Sequence, residues 1–128
     1  MSLGTMKKIL VVDDSRTVRQ QVAAVLSQAG YQVVEASDGI EATEKIEANT
    51  DLAMVVCDVN MPRMNGIDML ELLKKDQRHA DLSVLMLTTE GQPGPIQRAK
   101  QAGAKGWIVK PFAPDVILAA VRKIAGAP

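Results

Sequence analysis

The sequence predicts an α/β domain, five strand–helix units folded as a doubly wound parallel sheet with helices on both faces. Short apolar runs alternate five times with stretches of helical periodicity, and strict alternation of this kind implies a parallel sheet with right-handed crossovers. The run Val55-Val56-Cys57 is apolar at consecutive positions, as a strand covered on both faces requires, and it stops abruptly on Asp58. Polar groups also follow the other runs, and ligands of open α/β sheets bind beyond the carboxyl ends of the strands.

Lys8–Val12 reads as the first strand. Ser15 is a good helix N-cap, and Val18, Val22, Val25, Leu26 and Ala29 recur behind it at helical spacing. Gly30 closes that helix where a left-handed residue is favoured. Tyr31–Ala36 is the second strand, Ser37-Asp38-Gly39 a turn, and Ile40, Ala42 and Ile46 mark a helix that ends at Asn49-Thr50. Leu52–Cys57 is the third strand, and Asn65-Gly66 opens a helix carrying Ile67, Leu70 and Leu73. Leu82–Leu87 is the fourth strand. A loop from Thr88 to Gly94 leads to a helix around Ile96–Ala102, closed by Gly103. Proline is tolerated in a first helical turn, so this helix is expected to start at Pro95. Gly106–Val109 is the fifth strand, Lys110-Pro111 breaks the chain, and Val116, Ile117, Ala120, Val121 and Ile124 line a last helix.

With 128 residues, 47% of them hydrophobic, the chain has the size and the core for one domain, expected over residues 6–128. Met1–Thr5 join no periodic pattern and read as a remnant outside the fold. No apolar run is long enough to cross a membrane, and no signal peptide is evident. A lone Cys57 excludes an internal disulfide and fits a reducing compartment, which makes the cytoplasm the expected location. The net charge of zero hides an asymmetry. Residues 91–128 hold six basic residues and one acid, a net +5 against −5 for the rest. That imbalance suits an acidic partner on one face, or simply a solvated surface with lysines near helix C-termini. Three aromatic residues and a neutral charge give nucleic-acid binding little support.

If the strands are parallel, Asp13-Asp14, Asp58, Thr88-Thr89 and Lys110 meet at one edge. Three carboxylates close together repel, and at least one would have its pKa raised. A divalent cation removes that conflict, and Mg²⁺ takes a few carboxylates, retained waters and phosphate oxygens. Lys110 adds a fixed positive charge and a threonine hydroxyl adds a donor. The set suits a transferring phosphoryl group, with Asp58 as nucleophile.

Asp13-Asp14, Asp58 with Met61-Pro62, Thr88 and Lys110-Pro111-Phe112 resemble the receiver domain of two-component response regulators, most closely the single-domain chemotaxis (CheY-like) type. The resemblance spans about Lys7 to Ile124. It implies a flavodoxin-like fold with strand order 2-1-3-4-5, an order that comes with the family and not from the spacing. It implies that Asp58 accepts a phosphoryl group from a phosphohistidine of a sensor kinase or phosphotransfer domain. Asp14, Asp58 and the backbone carbonyl of Asn60 would bind Mg²⁺, with Asp13 acting mainly through water. Thr88, favoured over Thr89 by the family register, and Lys110 would hold the phosphoryl oxygens. Trp107 falls at the aromatic switch position, where most members carry a less bulky Tyr, Phe or His. Its movement would remodel the face of the fourth helix, fifth strand and fifth helix for an output partner. Asn60 and Glu90 would tune the phosphate lifetime. The family also raises the expectation of a cis Lys110–Pro111 bond, and makes the fourth helix, if it begins at Pro95, a turn shorter than usual. A monomer or a phosphorylation-dependent dimer is expected.

Other readings are less well supplied. A Mg²⁺-dependent aspartyl phosphatase would need a second acid two residues past Asp58, where Asn60 stands. A flavodoxin would need a Ser/Thr-rich phosphate loop and more aromatics. A phosphorelay intermediate, or a receiver cut from a larger kinase or transcription factor, would show the same residues. Cys57, Met54, Met69 and Met86 read as core filling, His79 as exposed, and Lys74-Lys75 as a solvated helix face.

Overall fold

The computed structural model describes residues 6–89 and 93–128. Its strands β1 (Lys8–Val12), β2 (Gln32–Ala36), β3 (Leu52–Asp58), β4 (Ser83–Thr88) and β5 (Gly106–Val109) form one sheet in the order β2-β1-β3-β4-β5. Every neighbouring pair is parallel. The helices α1 (Arg16–Gln28), α2 (Gly39–Ala48), α3 (Gly66–Lys75), α4 (Pro93–Gln101) and α5 (Pro114–Ala125) follow the strands in turn.

Alternation along the strands divides the interior into two cores. Leu10, Val12, Val55, Cys57, Val84 and Met86 face α2, α3 and α4, where Ala42, Ile46, Ile67, Leu70 and Ala99 meet them. Ile9, Val11, Met54, Val56, Leu85 and Leu87 face α1 and α5 and pack on Val22, Leu26, Ile117 and Val121. Successive side chains of a strand point to opposite faces, so a run apolar at every position supplies both cores at once.

Local chemistry starts the helices at the carboxyl edge. The Ser15 hydroxyl accepts from the Val18 N–H at 3.3 Å, Asp38 from the Glu41 N–H at 2.8 Å and Asn65 from the Asp68 N–H at 2.8 Å. Such caps satisfy backbone donors that have no intrahelical acceptor. Gly66 is obligatory, since a Cβ there would lie 2.2 Å from the Asp58 carbonyl oxygen. At the far end, the Tyr31 hydroxyl donates to the Gly126 carbonyl and the Lys7 ammonium to that of Ala125, which ties the last helix to the start of the sheet.

Several boundaries differ from the sequence expectation: β2 and β4 each start one residue later, α4 ends one residue earlier, and three differ at the carboxyl edge. β3 runs on through Asp58 and β4 through Thr88, because Asp58 pairs with Leu87 and Thr88 with Val109 in the ladders. α4 begins at Pro93 instead of Pro95. Both prolines fall in its first turn, where the missing N–H has no intrahelical acceptor to lose, so neither opposes the earlier start. Gln92, which bears on the expected shortening of this helix, lies outside the described residues, as does Glu90.

The Asp38 side chain, only 8% exposed, also receives both arms of the Arg63 guanidinium, Nε at 2.8 Å and Nη2 at 3.0 Å. Hydrogen bonding from Arg63 holds its carboxyl below the ordinary range, against the opposing effect of burial. Asp38→Asn keeps a capping oxygen and loses the charge, and should cost about 1 kcal/mol at pH 7. Because the folded-state pKa is depressed, this contribution is complete above the ordinary value of about 3.9 and is lost as pH falls through the folded value. Urea midpoints of the native chain and D38N should therefore differ at pH 7 and converge as the pH is taken down through and below the ordinary carboxylate range.

Candidate functional site

The two-residue period of a strand places the site. Asp13 lies two residues past Val11, Asp58 two past Val56 and Lys110 two past Ile108, and all three predecessors pack in the α1/α5 core. The three polar side chains therefore emerge on that same side of the carboxyl edge. The Lys110 ammonium sits 2.7 Å from Asp13 Oδ2 and 3.2 Å from Asp58 Oδ1. Its backbone N–H donates to the Thr88 carbonyl at 2.6 Å, and the Lys110–Pro111 bond is cis.

Burial is uneven. Asp13 is 0% and Asp58 2% exposed, while Asp14 lies open to solvent. Asp13 is fully engaged: Oδ1 accepts from the Ser15 N–H at 2.9 Å and Oδ2 from Lys110. Asp58 Oδ1 is, among the described residues, the buried side-chain oxygen left without an aligned hydrogen bond. Burial and the neighbouring Asp13 charge push the Asp58 carboxyl up to about 6, although Lys110 pulls the other way. Burial pulls the Lys110 ammonium down, but its hydrogen bond to Asp13 and the Asp58 charge outweigh that, and its pKa stays above the ordinary value. Burial, with the Asp58 charge next to it, drives the Cys57 thiol far up, and its S–H donates to the Asp58 carbonyl at 3.3 Å. This cysteine is neutral packing.

Asp13, Asp14 and Asp58 each present a carboxylate oxygen within 4.8 Å of the others, a set that could hold a cation. An orphaned buried oxygen, an exposed second carboxylate and a third already bonded on both oxygens fit a small hard ion that keeps some of its waters. Asn60 is exposed just beyond β3.

Thr88 shares the parity of Met86, not of Leu87. It therefore faces the α4 side, where it lines a gap of about 10 Å³ with Trp107, Val59, Ile96 and Ala99. Thr89 instead lines an open cleft beside Lys110, Val18, Gln21 and Phe112. Trp107 pairs with Met86 on the neighbouring strand and is 38% exposed. Val109 and Val116 are also large exposed apolar residues of β5 and α5.

The basic surplus of residues 91–128 is smaller at the surface than in the sequence. Lys110 points into the acid cluster, and Arg98 pairs with Asp68 at 2.7 Å and with Glu71 on α3. Lys100, Lys105, Arg122 and Lys123 remain exposed. Two polar readings are corrected. The His79 side chain is 13% exposed and lies 3.3 Å from Glu47. Lys74 turns inward, donating to the Ala80 and Leu82 carbonyls at 2.9 and 2.8 Å. Glu47, Asp76 and His79 also bring possible ligand atoms together, but the Arg78 guanidinium already donates to both Glu47 oxygens and to Asp76. Sequence reading passed over the Asp38–Arg63 pair. Its signal was the Asp38-Gly39-Ile40-Glu41 capping pattern, which marks Asp38 as more than a turn residue.

The family described as response regulator receiver domain matches residues 9–122. The chemotaxis protein CheY1 of Helicobacter pylori is 42% identical over 120 residues, covering 93% of this chain and 97% of that one. The solved structure of the chemotaxis response regulator CheY4 of Vibrio cholerae superposes with a TM-score of 0.88 at 40% identity, covering 94% of this chain and 99% of that one. A CheX–CheY–BeF3–Mg²⁺ complex from Borrelia burgdorferi contains a chain matching with a TM-score of 0.86 at 28% identity, over 92% of this chain and 88% of its own.

Lys110 is the cation that lets Asp13 and Asp58 share the edge. Lys110→Ala should cost about 3 kcal/mol in urea unfolding without divalent ions, the scale of breaking a buried pair. Millimolar Mg²⁺ should return part of that loss, since an ion that binds only the folded chain stabilises it.

Proposed function

The chain belongs to the response regulator receiver domain family and is a phosphoacceptor of a two-component system; on that premise we propose that Asp58 is the residue that takes the phosphoryl group. The observation that carries this is Asp58 Oδ1 itself, buried, without an aligned hydrogen bond and 3.2 Å from the Lys110 ammonium. A carboxylate so placed is a desolvated nucleophile beside a positive charge that can receive a phosphoryl oxygen. It attacks phosphorus in line, an O–P bond forms, and the P–N bond of the donor phosphohistidine breaks. The imidazole leaves with the electron pair and takes up a proton.

Asp14, Asp58 and the Asn60 carbonyl would hold Mg²⁺, with Asp13 bonding to its waters. The ion supplies neutralisation of charge on the transferring oxygens. Lys110 neutralises another of those oxygens, and the Thr88 hydroxyl donates to a third. Asn60 and Glu90 stand two residues past Asp58 and Thr88 and govern access of the water that later hydrolyses the acyl phosphate. The domain thus acts on itself and turns over no outside phosphate ester.

Movement of Thr88 toward the phosphoryl group carries the signal across the sheet. Thr88 lies on the α4 side, against the gap that borders Trp107. A gap of about 10 Å³ cannot admit an indole, so Trp107 moves in only when the start of α4 moves away. The face of Trp107, Val109 and Val116 among Lys100, Lys105, Arg122 and Lys123 suits an acidic, partly apolar output partner. The donor is a sensor kinase or phosphotransfer domain. The chemotaxis relatives, and the Borrelia neighbour solved with CheX, BeF3 and Mg²⁺, support a chemotaxis pathway, for which the cytoplasm is the expected location.

Intact mass after incubation with acetyl phosphate and Mg²⁺ should show one added phosphoryl group on the native chain. Asp58→Ala should gain none, and EDTA should abolish the gain. An unlabelled native chain beside a labelled control receiver would overturn the assignment. Trp107 is the chain's one tryptophan. Acrylamide should quench its fluorescence less once BeF3 and Mg²⁺ are added, and D58A should show no change.

A further inference from the structure

We propose that Arg63 is a positioning residue for metal binding: by forking onto buried Asp38 it holds the loop of residues 59–65 in the shape that aims the Asn60 carbonyl at the ion. The inference rests on the proposed role of that carbonyl and adds the device that fixes it.

The loop is closed at its base by two backbone bonds. The Val59 N–H donates to Leu87 and the Gly66 N–H to the Val59 carbonyl, each at 2.9 Å. Its middle is anchored elsewhere, at the N-terminus of α2. The Met64 carbonyl accepts from the Gly39 N–H at 3.2 Å, and the Arg63 guanidinium grips both oxygens of Asp38. Consecutive loop residues thus land on consecutive residues of another unit. The approach is close, since a Cβ on Gly39 would come within 2.6 Å of the Met64 oxygen.

Arg63 takes a φ of +65°, the described non-glycine residue in the left-handed region. Arginine, unlike Asn or Asp, has no short side chain that hydrogen-bonds locally to favour that conformation. The bidentate fork is what holds it there. An exposed ion pair would contribute little, and the Arg63 side chain is 58% exposed, but its partner is 8% exposed, already serves as the α2 cap, and meets the guanidinium in paired hydrogen bonds. Asn60 lies three residues upstream, between this anchor and the strand end at Asp58. Its carbonyl direction follows from where Arg63 fixes the chain.

Calorimetric titration of the full chain with MgCl₂ tests this. Arg63→Ala should weaken Mg²⁺ binding about tenfold, as loss of a residue that orients a ligand does, and Arg63→Lys should fall between. Arg63→Gly removes the left-handed penalty without restoring the fork. It should melt no lower than R63A yet bind Mg²⁺ as weakly, which a merely stabilising role would not produce. Acetyl phosphate labelling of R63A should recover as Mg²⁺ is raised. Native affinity in both R63A and R63G would overturn the proposal. Asp14→Asn in the same titration separates the two levels. If it also binds like the native chain, the metal assignment itself falls, and if it alone is weakened, only the role of Arg63 does.

Discussion

Two buried carboxylates facing one ammonium set the terms for the carboxyl edge of the sheet. Asp13 and Asp58 cannot both be charged in a desolvated space without a cation between them. Lys110 supplies it, and its position depends on the rest of the fold. β5 must lie next to β4, as the Lys110 N–H to Thr88 carbonyl bond shows, and β1 must lie next to β3. The strand parity that buries Val11, Val56 and Ile108 against α1 and α5 also delivers the three polar groups to one side. Core packing and site assembly are thus one constraint, because shifting any of these strands by one residue would send both its apolar and its polar side chains to the wrong face.

Under the proposed mechanism, the same parity separates chemistry from readout. Asp13, Asp58 and Lys110 stand on the α1/α5 side. Thr88, one residue past Leu87, stands on the other and shares a gap with Trp107 and α4. A threonine hydroxyl drawn toward a phosphoryl group therefore acts across the edge of the sheet, and what it vacates lies beneath the indole. Close packing makes such an element two-state and not graded. With so small a gap, the proposed switch requires indole and helix start to move together, and α4 is also tied to α3 through Arg98, Asp68 and Glu71.

Much of this was legible in the residues. Doubly buried strands reveal themselves as consecutive apolar positions, and a carboxylate directly after Val-Val-Cys has few other places to go. Caps such as Ser15 and Asn65 are local and follow from local chemistry. The start of α4 was misjudged because two prolines in one turn allow either beginning. Polar side chains that turn inward were the larger gap. Lys74 turns in onto the carbonyls of the loop just after its own helix, His79 meets Glu47 and Arg63 meets Asp38 far along the chain, and a hydropathy pattern gives a polar residue no direction. The charge asymmetry is overstated in the same way, since a count of lysines and arginines does not separate Lys110, which points into the acid cluster, from Lys105 at the surface.

The contrast between the two acid clusters among the described residues shows what sets the proposed phosphoryl site apart. Near the amino edge, Glu47 and Asp76 meet Arg78, whose planar fork donates to both carboxylates. Hydrogen bonds from Arg78 hold Asp76 down at about 2. At the carboxyl edge the cation is a lysine, a point charge that cannot satisfy two carboxylates in bidentate fashion. It aligns with Asp13 and leaves Asp58 Oδ1 without an aligned hydrogen bond, while burial and the Asp13 charge lift the Asp58 carboxyl to about 6 against the pull of Lys110. An arginine at position 110 would match the carboxylates better and leave less for an incoming ion or phosphoryl group. The deficit in satisfaction, held in place by two well-packed cores, is what gives Asp58 something to gain from both.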